Sequence, residues 1–287
     1  MLIWLLRLFA RLPLPLVHLL GSIVGWGMYF GSSRFASRTR QNLLASGLCP
    51  DDPSFRRVLH RNILENGKGM LETFAIWFRP YELALQWVRE CHGWEHVEAA
   101  LAQGHGIIFL TPHLGCFEIT SLYYAARHPI SVLYRPPRQS WLEPLIYAGR
   151  ERGQVKLAPT NLKGVRGLLQ TLKQGHAVGI LPDQTPHKGE GEWASFFGRP
   201  AYTMSLVGRL AKSTDAVTIL AFGERLPYGR GYIVHFEPLP SEAALSTSGL
   251  NAAIEALVSR YPEQYLWSYP RYKVPPGVSK PPKIATS

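Results

Sequence analysis

The segment GIIFLTPHLGCFEIT, residues 106–120, decides the reading of this chain. Ile107, Ile108, Phe109 and Leu110 make a continuous apolar run of strand length, the pattern of a strand buried on both faces. Thr111-Pro112 breaks it, because proline has no amide to donate and disfavours helix at the residue before it. A helix opens next, with Glu118 five residues after His113. On an ideal helix two such positions point about 140° apart. His113 must therefore precede the first turn if its imidazole is to meet the Glu118 carboxylate. A carboxylate on one ring nitrogen fixes the tautomer and leaves the other nitrogen a better base. On spacing alone, a lone histidine near a strand end is more often a satisfied structural residue than a catalytic one. Place favours chemistry, since sites in open α/β sheets collect at the carboxyl ends of strands.

Downstream, strands and helices alternate. The pattern predicts strand 130–134, helix 141–152, strand 155–158, helix 162–173 and strand 177–181. A long Gly-rich loop follows over 182–201, then helix 204–212, strands 217–222 and 232–236, and helix 251–260. This order calls for an α/β fold: a central mixed, mostly parallel sheet with helices on both faces. Upstream, residues 34–103 read as helical, and 55–78 leaves one oily face between Arg56, Arg57, Arg61, Glu65 and Lys68. His92 and His96 are four apart, a spacing that holds metal on a helix, but no third ligand is near and Gly93 reads as a boundary.

The most apolar part comes first. Residues 12–30 contain no Asp, Glu, Lys or Arg over 19 positions, close to the roughly 20 that span a bilayer. Arg7 and Arg11 precede the run, Arg34, Arg38 and Arg40 follow it, and Trp4, Trp26 and Tyr29 suit an interface. We read an N-terminal hydrophobic helical anchor over 1–33, spanning or half-embedded, with a buried core helix as the alternative. The main domain then covers 34–274. The Pro-rich, charged tail 275–287 has the composition of a disordered segment.

With 287 residues and 46% hydrophobic content, the chain supports one large core plus this appendage. Lys and Arg total 31 against 20 acidic residues, a formal charge of +11. Such a surplus serves nucleic acid, anionic lipid, a phosphorylated substrate or an acidic protein, without choosing among them. Three cysteines, Cys49, Cys91 and Cys116, with no CxxC pair, signal neither a disulfide framework nor a zinc site. Cys116, between His113 and Glu118, reads as a small packing residue rather than a nucleophile. The chain has no GxSxG elbow, GxxxxGK[ST] loop, GxGxxG turn or HExxH helix, which removes the main support for the corresponding hydrolases and nucleotide enzymes.

Two further strand exits carry candidates. Arg135 ends ISVLYRPP, where a guanidinium grips phosphate or carboxylate with a bidentate fork. Asp183 ends LPDQ. Three exits, ending in His113, Arg135 and Asp183, should converge on one edge of the sheet. Phe196 and Phe197, in the loop beyond, either cap a core or line a greasy channel. In EQYLWSYPRYK, the substrate-binding candidates Arg271 and Lys273 lie among Trp267, Tyr269 and Tyr272, a mixture suited to a membrane interface or a phosphorylated headgroup, and equally to a surface cation and aromatic cluster.

His113 and Glu118 match the HxxxxD/E signature of the lysophospholipid acyltransferase superfamily. The blocks YRPP (134–137), LPDQ (181–184), FFGRPAYT (196–203) and EQYLWSYPRYK (263–273) resemble, in order, its bacterial late (lauroyl or myristoyl) acyltransferases of lipid A biosynthesis. The similarity runs from the anchor to about residue 273. It implies transfer of a fatty acyl chain from acyl carrier protein to a hydroxyl of a lipid A precursor, at the cytoplasmic face of a bacterial inner membrane. It implies His113 as general base with Glu118 orienting it, Arg135 on a phosphate of the acceptor or of the donor's phosphopantetheine, and Asp183 supporting the site. Phe196 and Phe197 would border the acyl chain.

The implied partners are acyl carrier protein, a membrane-embedded lipid acceptor and an anionic membrane surface, with no nucleic acid. No cofactor is implied beyond the carrier-bound thioester as co-substrate. A hydroxyl needs a base during attack, worth about 10²- to 10⁴-fold. The thioester oxyanion needs donors, for which the amides of residues 114–116 at the helix opening are the candidates. Phe117 and Cys116 depart from the tryptophan and asparagine expected of the family, which leaves a lysophospholipid or other lipid acceptor open. A membrane-bound thioesterase or lipid hydrolase, in which His113 activates water, is the alternative from another class, and a non-catalytic lipid-binding protein is a third.

Overall fold

A computed structural model describes residues 2–137 and 139–281. The last six residues of the expected tail, 282–287, lie outside the described residues. Helices α1 (Leu2–Phe9), α2 (Leu14–Gly31), α3 (Ser33–Ala45), α4 (Asp52–Phe78) and α5 (Tyr81–Leu85) come first. Then follow β1 (Val88–His92), α6 (Trp94–Ala102), β2 (Ile107–Leu110), α7 (Phe117–Ala125), β3 (Ile130–Tyr134), α8 (Glu143–Arg150), β4 (Val155–Pro159), α9 (Leu162–Lys173) and β5 (Ala177–Ile180). The chain ends with β6 (Gly191–Phe196), β7 (Arg199–Met204), α10 (Leu206–Thr214), β8 (Val217–Arg225), β9 (Tyr232–Pro238), α11 (Ser241–Leu245) and α12 (Thr247–Arg260).

Seven strands form one sheet in the order β1-β9-β8-β2-β5-β3-β4. All neighbours run parallel except β8 and β9. The expected mixed, mostly parallel sheet is thus the observed one. Its central strands are buried on both faces, which is why β2 reads as unbroken apolar sequence. Alternate side chains feed two cores. Ile108, Leu110, Val178, Ile180, Leu220 and Phe222 pack on one face among residues of α9, α10 and α12. Ile107, Phe109, Ala177, Ile219, Ala221 and Val234 pack on the other with α6 and α7.

Two expectations are corrected. The Gly-rich loop 182–201 contains an antiparallel hairpin, β6 with β7, whose turn places Phe197 at a φ of 47° and Gly198 at 69°. Within 34–103, expected to be helical throughout, β1 pairs with β9 at the sheet edge. His92 therefore lies on a strand and His96 on α6, so the pair does not share a helix.

Helix α2 packs across α4 through glycines. A Cβ on Gly67 would fall 2.0 Å from the Gly21 carbonyl oxygen, and one on Gly25 would fall 2.1 Å from that of Ile63, so backbones touch where side chains would collide. Beside this contact His18 Nε2 lies 3.0 Å from Glu72 Oε2. Glu72 also takes the Arg225 guanidinium and, at 2.9 Å, the Tyr232 hydroxyl. The outer face of α1 and α2 stays apolar and open: Trp4 is 64% exposed, Ile23 62% and Phe30 78%. Among the described residues α2 is the one helix long and apolar enough to cross a membrane.

Helices α3 and α4 also hold the C-terminal segment under the site. Asn42 Nδ2 donates to the Trp267 and Tyr269 carbonyls, and Asn62 Nδ2 to those of Glu263 and Tyr265. Of the tail, Ser279 accepts the Trp193 indole N–H at 3.2 Å.

Candidate active site

Strands β2, β5 and β3 are consecutive parallel neighbours, so their carboxyl ends open on the same edge. At the β2 exit, Thr111 still donates to Ile180 on β5, and Pro112 then turns the chain so that His113 stands before α7. Gly115 takes a φ of +58° and presses against β8, where a Cβ would lie 2.1 Å from the Gly223 carbonyl oxygen. A side chain there would push the turn, and His113 with it, off the sheet edge.

Asp183, at the β5 exit, grips His113 with both carboxylate oxygens. Oδ1 lies 2.8 Å from the ring Nδ1, and Oδ2 accepts the His113 backbone N–H at 2.9 Å. The carboxylate is buried and the imidazole nearly so. Burial alone would raise the Asp183 carboxyl. The facing His113 ring and amide, with Arg271 beyond, reverse that and hold it below the usual carboxylate range. A charged carboxylate only accepts, so Nδ1 carries the proton and Nε2 keeps its lone pair. Gln184 Nε2 sits 3.0 Å from that lone pair and donates to it.

This corrects the partner expected for His113. Glu118 is on the first turn of α7 and buried, but its carboxylate faces Arg150, whose Nε lies 3.0 and 3.1 Å from its two oxygens and whose Nη2 also donates to Oε1. Burial works against the Arg150 charge, and Glu118 more than offsets it. The five-residue spacing that brings Glu118 beside the site also turns it past the imidazole, toward the end of α8.

The backbone donors foreseen for the oxyanion are corrected too. Leu114 N–H goes to Pro112, Gly115 N–H to Gln264 and Cys116 N–H to Gly223. Cys116 is buried, and burial with nearby Glu72 pushes its thiol up, in keeping with a packing role.

His113, Arg135, Arg150, Gln184 and Arg209 line one cleft of about 650 Å³, within the range of small-molecule sites. Arg135 is exposed there, at the β3 exit, so the three-strand convergence places it with the histidine.

The remaining candidates lie elsewhere. Phe196 is buried against Phe197, Tyr265 and Tyr272, and Phe197 packs on Trp267, so both fill the hairpin's core contact instead of bordering the cleft. Arg271 is buried and donates to the Tyr202 carbonyl, Thr203 Oγ1 and Asn251 Oδ1, which ties the hairpin to α12 and leaves no headgroup contact. Lys273 is exposed, its ammonium 5.4 Å from the Tyr269 ring centroid. The Tyr269 hydroxyl accepts the Thr185 N–H, and Thr185 Oγ1 donates to the Arg271 carbonyl. The aromatic C-terminal block therefore serves the site by holding the loop that carries Asp183.

Sequence reasoning passed over Arg150, Gln184 and Arg209. Arg150 had a signal, a cation in the last turn of a helix leading to a strand of the sheet. Gln184 stood in LPDQ without a role. Among the described residues no group of three His, Cys, Asp or Glu side chains is placed to hold a metal ion.

The family model described as bacterial lipid A biosynthesis acyltransferase matches residues 1–274. The chain is 26% identical over 277 residues to the lipid A biosynthesis lauroyltransferase of Escherichia coli (strain K12), covering 94% of this chain and 90% of that protein. It is 27% identical over 281 residues to the lipid A biosynthesis palmitoleoyltransferase of the same strain, covering 94% and 89%. A match to that strain's lipid A biosynthesis myristoyltransferase is 24% identical over 181 residues, 61% of this chain and 56% of that protein. A histidine held by a buried carboxylate beside a cleft is an arrangement suited to acyl transfer, and with a match over almost the whole sequence this chain belongs to the bacterial lipid A biosynthesis acyltransferase family and is an acyltransferase.

Proposed function

We propose that the protein transfers a fatty acyl chain from the thioester of acyl carrier protein to a hydroxyl of a lipid A precursor. The observation that carries this reading is the Asp183–His113 pair with Nε2 turned to the cleft. His113 Nε2 takes the acceptor's hydroxyl proton as the oxygen attacks the thioester carbonyl. The carbon–sulfur bond then breaks, and the imidazolium returns the proton to the departing thiolate. Asp183 holds the ring in the reactive tautomer and stabilises its charged form.

Glu118 acts through Arg150. It fixes the guanidinium at the cleft wall, where the remaining N–H groups serve the oxyanion or an anionic group of the substrate. Arg135, and Arg209 across the cleft lining, meet phosphate. The exposed apolar face of α1 and α2 lies in lipid on the cytoplasmic side of the inner membrane, with Arg7, Arg11 and Arg34 at the headgroups. On this reading 1–33 is the anchor and 34–274 the acyltransferase domain.

The test is mass spectrometry of detergent-solubilised protein with acyl carrier protein thioester and a tetra-acylated, sugar-extended lipid A precursor. We expect a gain of one acyl chain, lost by at least about 10²-fold in His113→Ala. Steady release of free fatty acid without acylated lipid would replace this reading with a hydrolase. Acylation of a lysophospholipid alone would change the acceptor.

A further inference from the structure

The base of this enzyme faces its substrate cleft with the reactive lone pair already occupied. Asp183 can only accept, so the ring proton is on Nδ1 and the Nε2 lone pair points at Gln184. The nitrogen of the Gln184 amide, 3.0 Å away, is then the atom that faces it, since the amide oxygen would place lone pair against lone pair. We propose that Gln184 is a gate on the base: it caps Nε2 while the acceptor is absent, and the acceptor's hydroxyl must displace it before a proton can be taken. This inference rests on the reading of His113 as general base.

The local build supports a side chain that moves on a fixed backbone. Asp183 on one side is buried and bonded twice to His113. Thr185 on the other is buried, its amide held by the Tyr269 hydroxyl and its own hydroxyl by the Arg271 carbonyl. Gln184 between them is half-buried and projects into the cleft. Its unbranched chain can swing away while the backbone stays in place.

The gate has a chemical purpose. A thioester in the cleft beside a free base is open to water: water gives its proton to Nε2, its oxygen bonds to the carbonyl carbon, the carbon–sulfur bond breaks and the imidazolium protonates the leaving thiolate. The products are a free fatty acid and the carrier thiol, and the acyl group is wasted. Water competes for Nε2 one molecule at a time, whereas a lipid acceptor brings further contacts that offset the loss of the Gln184 hydrogen bond. Gln184 thereby selects lipid hydroxyl over water.

The experiment uses the full chain in detergent. It measures fatty acid released from acyl carrier protein thioester without acceptor, and acylated lipid formed with the lipid A precursor. In Gln184→Ala, and in Gln184→Met, which keeps the bulk without the donor, release should rise about 3- to 10-fold, the equivalent of one net hydrogen bond. The release-to-transfer ratio should rise by at least as much. Gln184→Glu, whose carboxylate accepts from a charged ring, should lower release and transfer together. Melting curves for each variant confirm that the folded enzyme is compared. An unchanged ratio in both Gln184→Ala and Gln184→Met, or a parallel fall of release and transfer in both, overturns the gate. If His113→Ala retains transfer, the base reading beneath it has failed instead.

Discussion

Replacing Asp183 by asparagine tests the central contact with almost no change of shape. Both carboxylate oxygens accept from His113, at 2.8 Å from the ring and 2.9 Å from the backbone. Asparagine offers one acceptor and one NH₂. Whichever way the amide turns, one His113 N–H meets an N–H. The ring escapes by moving its proton to Nε2, which turns the lone pair from the cleft to the amide. The base then has the wrong tautomer, and its charged form has lost its counter-ion. We expect a loss of about 10³-fold in kcat, in the middle of the range for positioned bases and worth about 4 kcal/mol of barrier, with KM for the thioester little changed. Exchanging two hydrogen bonds to a buried, charged carboxylate for two to a neutral amide also costs stability, about 1–3 kcal/mol. At roughly 2–4 °C per kcal/mol for a domain of this size, Tm should fall by about 2–12 °C. Steady-state mass-spectrometric transfer assays and thermal melts measure both. A folded Asp183→Asn enzyme within tenfold of wild type, beside a Glu118→Gln enzyme that has lost its activity, would refute this assignment and return the orienting role to Glu118.

Two further outcomes follow from ion pairs in the fold. Arg150→Lys keeps the charge but not the planar fork that Glu118 holds, so transfer should drop by about 10²-fold; wild-type kinetics would show that the fork is not used. Glu72→Gln leaves the buried Arg225 guanidinium without its main counter-ion and should destabilise the protein by about 3–5 kcal/mol, read from denaturant melts at pH 7. Burial opposes the Glu72 charge, but Arg225 and His18 more than reverse it, so the folded carboxyl titrates well below its ordinary value of 4.5. Its stabilisation is therefore complete above about pH 4.5 and lost as pH falls further. Wild-type stability should drop more steeply on acidification than that of the variant, and parallel slopes between pH 3 and 5 would contradict the arrangement.

Much of the site is legible in the sequence. The strand, the Thr111-Pro112 break and the position of His113 depend on residues within a few places of one another, and all three are found as read. The convergence of His113, Arg135 and Asp183 followed from three parallel exits and is realised because β5 lies between β2 and β3. The readings that failed required knowing what a side chain packs against. Phe196, Phe197 and Arg271 have the chemistry of a lipid site, yet their sequence neighbourhood cannot distinguish an aromatic facing a cleft from one filling the seam between a hairpin and α12. The hairpin itself was hidden because its strands are short, glycines lie at the start of one and in the turn, and Pro200 stands inside the other.

By itself the sequence determined the strand–helix alternation around the site, the strand exits and the place of His113 before its helix, since apolar period, proline chemistry and residue type are local properties of the chain. Which carboxylate holds the His113 imidazole was decided by tertiary structure alone. Glu118 is five residues from His113, but the first turn of α7 points it at Arg150. Asp183 is 70 residues away and touches the ring, because β5 pairs with β2 and their ends coincide.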